Sequence, residues 1–365
     1  MRAFESGDHA PGFKDINLGL DSPPVQRSLG LRWDLSADSF GFQISCADKP
    51  FTKRGVLSVV NSLFDPLGFV APITIQGKSL LRQFSETVKD WDTPLPSEKE
   101  QKWEAWKRSL CALDEIHIPR CYVKTSLSSS IKKELHVFSD ASTEAIAAVA
   151  YLKVTEPNNQ NHVGFVFGKA KLAPKPDHTI PRLELCGTVL AVEIADFIQQ
   201  ELGVDIAEVQ YYTDSKVVLG YIHNRTKRFY VYVSNRIERI RRSSKPEQWH
   251  YVPSELNPAD HATRPMSIGS FTNSTWLTGP EFLLGEADEC VQEAFSIQDP
   301  DNDPEIRAEV SALVTGTKQT ASFGCQRFER FSSWMRLVRT IASVSGMTDK
   351  KQLRVDLRAD SLLGT

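Results

Sequence analysis

Four acidic residues stand out by where they fall. Asp140 closes the alternating run Glu134-Leu-His-Val-Phe-Ser-Asp140, and Asp214 closes Val209-Gln-Tyr-Tyr-Thr-Asp214. Glu184 lies in Ile180-Pro-Arg-Leu-Glu-Leu185, and Asp260 ends Asn257-Pro-Ala-Asp260. Each position reads as the end of a strand or the first turn of a helix, where a side chain reaches the rim of a sheet. Four carboxylates gathered within a few ångströms repel one another, and without a cation some of them take up protons. Magnesium relieves that conflict, because it prefers hard oxygen ligands, keeps water and binds the phosphate oxygens of a substrate. Two such ions activate a water and steady the leaving oxygen, so hydrolysis of a nucleic-acid backbone is the chemistry this arrangement serves. Taken singly, each acid has a plainer reading: Asp214 as a turn-former, Glu184 as a complement to the helix dipole, Asp260 as part of a capping turn.

The elements that must position these acids follow from periodicity. Strands are expected at 135–139, 145–154, 162–172, 207–213 and 248–252. Helices are expected at about 181–202, 215–224, 230–242 and 258–264. Three antiparallel strands followed by alternating helices and strands make an α/β fold, a mixed five-stranded sheet with helices on both faces, flanked by mainly helical regions. Leu183, Gly187, Leu190, Ile194 and Phe197 form the stripe that pins the long helix to the sheet, and Pro181 suits its first turn. Ser215 is placed to cap the helix after Asp214.

Upstream, 30–34 and 38–44 read as a short antiparallel pair, 52–64 as a helix stopped by Asp65-Pro66, and 77–91 and 97–113 as amphipathic helices. Trp103 and Trp106 share a face of the last of these. Thr125 to Ser130 reads as a serine-rich linker, Asp299-Pro-Asp-Asn-Asp-Pro-Glu305 as a flexible charged run, and 326–345 as a helical tail.

The chain has 365 residues, 41% of them hydrophobic and 24% charged, which fits two or three globular domains. Its net charge of -3 does not by itself indicate a nucleic-acid partner. Locally the picture changes: Arg225, Lys227, Arg228, Arg236, Arg239, Arg241, Arg242 and Lys245 face a single acid, Glu238, with Phe229, Tyr230 and Tyr232 between them. Cations for phosphates interleaved with rings for sugars and bases are a nucleic-acid footprint, though a solvated helix face with its aromatics turned inward has the same pattern. Ser142, Ser215, Arg225, Lys227, Arg228, Tyr232, Asn235, Arg236 and Arg239 are the candidate contacts. Cys46, Cys111, Cys121, Cys186, Cys290 and Cys325 are scattered without a Cys-x-x-Cys, against a zinc finger or a secreted disulfide framework. With neither a signal peptide nor a membrane span, the expected setting is intracellular, cytoplasmic or nuclear.

Phe138-Ser-Asp-Ala-Ser142, Ile180-Pro-Arg-Leu-Glu-Leu185, Thr213-Asp-Ser-Lys-Val-Val-Leu219 and Val252-Pro-Ser-Glu-Leu-Asn-Pro-Ala-Asp260 resemble the ribonuclease H domain of BEL/Pao-type LTR retrotransposon polyproteins. Leu29-Gly-Leu-Arg-Trp-Asp34, Thr52-Lys-Arg54 and Leu63-Phe-Asp-Pro-Leu-Gly68 look like the segment after the polymerase palm of the reverse transcriptase in that family. Trp276-Leu-Thr-Gly-Pro280 and Arg327-Phe-Glu-Arg-Phe-Ser-Ser333 look like the stretch leading to its integrase. The resemblance implies a reverse transcriptase C-terminal remnant at 1–128, a ribonuclease H-like domain at 130–265 and a partly flexible pre-integrase-like region at 270–365. It also implies that Asp140, Glu184, Asp214 and Asp260 hold two Mg2+ ions, with Mn2+ as a substitute, and that the enzyme cuts the RNA strand of an RNA/DNA hybrid. Other parts of a retroelement polyprotein are implied as partners, whereas a membrane and a small-molecule cofactor are not.

Departures from the family pattern keep two other readings open. No Tyr-x-Asp-Asp, no Asp-Ser-Gly or Asp-Thr-Gly, and no His/Cys metal set after residue 261 occur, so polymerase, protease and integrase sites are not expected in this chain. The loop before the fourth acid reads Pro-Ser-Glu-Leu where many ribonucleases H have a histidine, and His250 and His261 beside it are assigned no role. A non-catalytic nucleic-acid-binding or assembly module, or a decayed element without a partner, is the alternative to the enzyme.

Overall fold

The computed structural model describes residues 26–28, 31–42, 49–86, 88–123, 127, 130–175, 178–272, 274–285, 295–297, 299–300, 302–307, 331 and 333–344. Contacts divide the chain into two units, residues 1–307 and 308–365. In the first unit, β1 (Gln26–Ser28), β2 (Leu31–Asp34) and β3 (Ser39–Gly41) are antiparallel neighbours. The turn between β2 and β3 falls where the sequence places it, with Asp38 at φ 46°. Asp34 folds back to accept N–H bonds from Ser36 and Ala37.

Next comes α1 (Lys53–Ser62), capped by Thr52, whose hydroxyl accepts the Gly55 N–H at 3.1 Å. α2 (Ala71–Ser85) begins one and a half turns earlier than the sequence predicts. Pro72 sits in its first turn, where a missing N–H costs nothing, and the Asp65 carboxylate accepts N–H bonds from Phe69 and Val70 at 2.9 and 2.8 Å. The expected 97–113 helix is α3 (Glu100–Ser109) flanked by single-turn 3-10 segments, and Trp103 stacks on Trp106 at 5.2 Å. β4 (Ile118–Pro119) pairs with β3.

The central sheet is then laid down by β5 (Lys132–Ala141), β6 (Ala145–Thr155) and β7 (Asn161–Leu172), a continuous antiparallel meander. After α4 (Ile180–Glu201) the chain returns as β8 (Glu208–Thr213), parallel to β5. α5 (Lys216–His223) and α6 (Val231–Ser243) follow, and β9 (Trp249–Tyr251) adds parallel to β8. The five strands run in the order β7-β6-β5-β8-β9. β6 is buried along nearly its whole length, as a strand covered on both faces must be. On one face Leu135, Val137 and Leu152 pack under α4, α5 and α6. On the other, Phe138, Val149 and Tyr151 share a core with Val56, Phe69, Trp106 and Trp276, so the upstream helices cover the second face. This α/β architecture, a mixed sheet with helices on both faces, is the one the sequence predicts.

Beyond β9, 3-10 turns at Ser254–Leu256 and Pro258–Ala262 lead to α7 (Ile268–Phe271) and α8 (Thr275–Thr278). Two expectations change. Phe197 is half exposed against Phe167 while Ile198 is buried, because a 3.6-residue period rotates position 197 off the face that Ile194 occupies. The charged run ending at Glu305, expected to be flexible, is pinned: Glu305 is 3% exposed and Ile306 pairs with Phe229. In the second unit the predicted tail helix is α9 (Trp334–Val344); residues 326–330 lie outside the described residues.

Candidate active site

The two aspartates at strand ends are set side by side by register. β5 and β8 are parallel, Ser139 pairs with Thr213, and Asp140 and Asp214 are the next residues on each. Glu184 is brought to them by α4, which crosses so close to the end of β5 that a Cβ on Gly187 would lie 2.9 Å from the Asp140 carbonyl oxygen. Glycine one turn after Glu184 is therefore what lets the helix and the strand end meet. Asp260 is fixed through Asn257, whose amide donates to the Ser139 carbonyl at 3.0 Å and whose Oδ1 accepts the Ala259 N–H.

The four acids that sequence reasoning selects thus come from four elements to one corner of the sheet, and their charges act on one another. Burial pushes the Asp140 carboxyl up to about 7, Thr263 opposes this by hydrogen bonding, and the charges of Asp214 and Asp260 add to it. Glu184 is raised by burial and then by Asp214, against the pull of Ser215. Asp260 is raised by burial, lowered by Arg264, and raised again by Asp214 and Glu255.

Each carboxylate is also held by a protein donor. Thr263 donates its hydroxyl to Asp140, Ser254 to Asp214 and Ser215 to Glu184, the last at 2.5 Å. Arg264 Nε lies 2.7 Å from Asp260 Oδ1, a buried oxygen that accepts no aligned hydrogen bond. Sequence reasoning missed Thr263, Ser254, Arg264 and Asn257, although Ser254 and Asn257 stand inside the quoted Val252 to Asp260 motif. Among the described residues, no three His, Cys, Asp or Glu side chains are gathered as they stand into a set that could hold a metal ion. The donor chemistry nevertheless fits a hard cation: all oxygen, buried or half-buried, and mutually repelling.

The candidate nucleic-acid contacts separate into groups. Ser142 serves its own turn, accepting N–H bonds from Glu144 and Ala145 and donating to the Thr263 carbonyl at 2.8 Å. Ser215 caps α5 as expected, accepting the Val218 N–H. Arg225, Lys227 and Arg228 lie on the loop between α5 and α6 and line a cavity of about 420 Å³ with Arg241 and Arg307. Tyr232 packs between two guanidinium groups, Arg236 at 3.5 Å and Arg182 at 4.8 Å from its ring centroid, and its hydroxyl meets Cys186. Asn235 is exposed on α6, whereas Arg239 is turned to Asp196 of α4 at 2.7 Å. His250 and His261 bond Gln210 and Thr275, and burial lowers the pKa of each.

Part of the chain matches a known protein family. Residues 52–215 match the family model described as Pao retrotransposon-like RNaseH-like domain. The match takes in α1 to α3 as well as Asp140, Glu184 and Asp214, and it ends before Asp260. Among solved structures, RNase H1 from Halobacterium salinarum is 15% identical, with 36% of this chain and 96% of that chain covered and a TM-score of 0.25. The N-terminal RNase H domain of rv2228c from Mycobacterium tuberculosis, solved as a maltose-binding protein fusion, is 15% identical over 37% and 94%, with a TM-score of 0.25. LC11-RNase H1 in complex with RNA/DNA hybrid is 15% identical over 36% and 93%, with a TM-score of 0.26. No curated protein matches the chain. Residues 52–215, a little under half of the chain, thus match a BEL/Pao retrotransposon ribonuclease H-like region.

Proposed function

We propose that this chain hydrolyses the RNA strand of RNA/DNA hybrids at the corner formed by Asp140, Glu184, Asp214 and Asp260. The observation that supports this most directly is the pairing of Ser139 with Thr213, which sends two aspartates off adjacent parallel strands beside the half-buried Glu184. When bound there, two Mg2+ ions, with Mn2+ as a substitute, supply an activated water and charge stabilisation for the leaving oxygen. Asp140 and Asp214 hold the centre of the site, Glu184 orients the water from the α4 side, and Asp260 completes the far side. To do so the carboxylates exchange the Thr263, Ser254 and Ser215 hydroxyls for the cations. Asn257 and Gly187 keep the backbone in place meanwhile, and the basic loop of Arg225, Lys227 and Arg228 offers charge to the nucleic-acid backbone.

A second reading, a non-catalytic nucleic-acid-binding or assembly module, is favoured by the donor that each acid already has and by the lack of a gathered metal set among the described residues. One assay separates the two. A labelled RNA/DNA hybrid incubated with Mg2+ is expected to be cut by the wild-type chain and to stay intact with Asp140→Asn. Salt-sensitive binding without metal-dependent cutting supports the module and overturns the enzyme.

A further inference from the structure

The downstream segment around Asp303 to Arg307 packs against the first turn of α4, against α5 and against the basic loop, and it carries two acids that face them. Glu305 is nearly inaccessible, and its carboxylate takes both prongs of the Arg182 guanidinium, at 2.6 and 3.0 Å. Arg182 stands on the first turn of α4, two residues before Glu184. Asp303 accepts a hydrogen bond from the Tyr221 hydroxyl of α5 at 2.7 Å. The backbone continues the grip: the Tyr230 N–H donates to the Glu305 carbonyl at 2.9 Å, and the Arg307 N–H donates to the Arg228 carbonyl at 2.8 Å. Further back, Gly220 makes room for the chain, since a Cβ there would meet the Ser296 carbonyl at 2.8 Å.

A guanidinium presents the same planar fork to a carboxylate as to a phosphodiester. Arg182 is the cation nearest in sequence to the four acids on the α4 side, and Tyr232 stacks beneath it. An acidic turn segment that grips an arginine and a tyrosine hydroxyl and pairs with a loop rich in cations sets carboxylates where the phosphates of a nucleic-acid backbone would bind.

We propose that Arg182 and the Tyr221 hydroxyl form a binding site for a backbone phosphate of nucleic acid, and that Asp303 and Glu305 occupy it as a built-in competitor displaced when substrate binds. The inference rests on the nucleic-acid reading of this face but not on catalysis. The strap neutralises Arg182 in the free protein, so the site is closed to weak, non-specific polyanions. A hybrid making several contacts at once displaces it.

The test is binding, measured by fluorescence anisotropy of a short labelled RNA/DNA hybrid in EDTA, so that cutting plays no part. Asp303→Asn with Glu305→Gln keeps the shape of the strap and removes its charge. This double variant is expected to bind roughly three- to tenfold more tightly than wild type, the order expected for freeing one or two phosphate contacts. Glu305→Gln alone serves if the double variant does not fold, and circular dichroism checks each protein. In an Arg182→Gln background the same strap changes are expected to have little effect, which separates a local competition from a general change in charge. Hydrogen exchange supplies an independent readout: hybrid binding is expected to speed exchange of the Arg307 amide in wild type. Unchanged or weaker binding by the folded strap variants, or an equal gain with Arg182→Gln, overturns the proposal. If strap neutralisation tightens binding but Mg2+ produces no cutting, the competitor stands and the nuclease reading falls.

Discussion

At the scale of single residues, the site is a conflict between like charges settled by local donors. Asp140 is buried and accepts from Thr263, so Thr263→Val leaves a carboxylate oxygen without that partner and is expected to lower stability by about 1–3 kcal/mol. If the acids hold metal, Mg2+ has more to offer that variant than the wild type. Its melting temperature is expected to rise further on adding Mg2+, and equal shifts count against ligation by Asp140. Gly187→Ala pushes a methyl group against the Asp140 carbonyl and is expected to cost about 1–3 kcal/mol and to depress cutting. Urea unfolding and the hybrid assay measure the two effects.

At the scale of elements, β5 carries both the site and a titrating core group. Burial pushes His136 from 6.5 down to about 3, with Lys153 and His250 adding to it, while its Nδ1 lies 3.0 Å from the Tyr212 hydroxyl. The folded chain therefore resists a proton that the unfolded chain accepts. Its stabilisation is complete above 6.5 and drains away as pH falls from 6.5 toward 3. Replacing His136 with Gln is expected to flatten that loss by up to about 1.4 kcal/mol per pH unit, seen by comparing urea unfolding of both proteins near pH 7 and at about pH 4.5. Asp65, pushed up to about 6 by burial, titrates in the opposite sense, and the comparison between the two proteins cancels it.

Elements are also where the sequence was most and least legible. Alternation and terminal acids are local signals, so β5, β8, α4 and the four carboxylates are visible in a single chain. The start of α2 is not, because Pro66 and Pro72 read as stops until Asp65 is seen satisfying two N–H groups of the turn between them. Nor is the pinned segment at Glu305. An acidic, proline-bearing run looks solvated until its partner is known, and Arg182 is 123 positions away. Thr263 and Ser254 escape for the same reason: a hydroxyl says nothing about which carboxylate it will face.

At the scale of the whole molecule, residues 1–307 share cores that cross the boundary at 128 expected from the resemblance. Trp276 is the clearest case. It is fully buried, donates its indole N–H to the carbonyls of Gly68 and Phe69, and lies against Gly168 of β7, where a Cβ would come within 2.5 Å of its ring. Trp276→Ala is expected to cost about 3–5 kcal/mol, and a chain cut to 130–265 is expected to unfold at lower urea than 1–307 and to bind a dye for exposed apolar surface. Matching unfolding midpoints for the two lengths sink this account.

That indole joins partners 208 positions apart along the polypeptide. At the ordinary pace of translation, the Gly68 edge leaves the ribosome roughly 10 to 40 seconds before the tryptophan that seals it. Through that interval the nascent chain carries an unclosed seam, which makes it a natural client for holding chaperones and places its greatest risk of aggregation during synthesis.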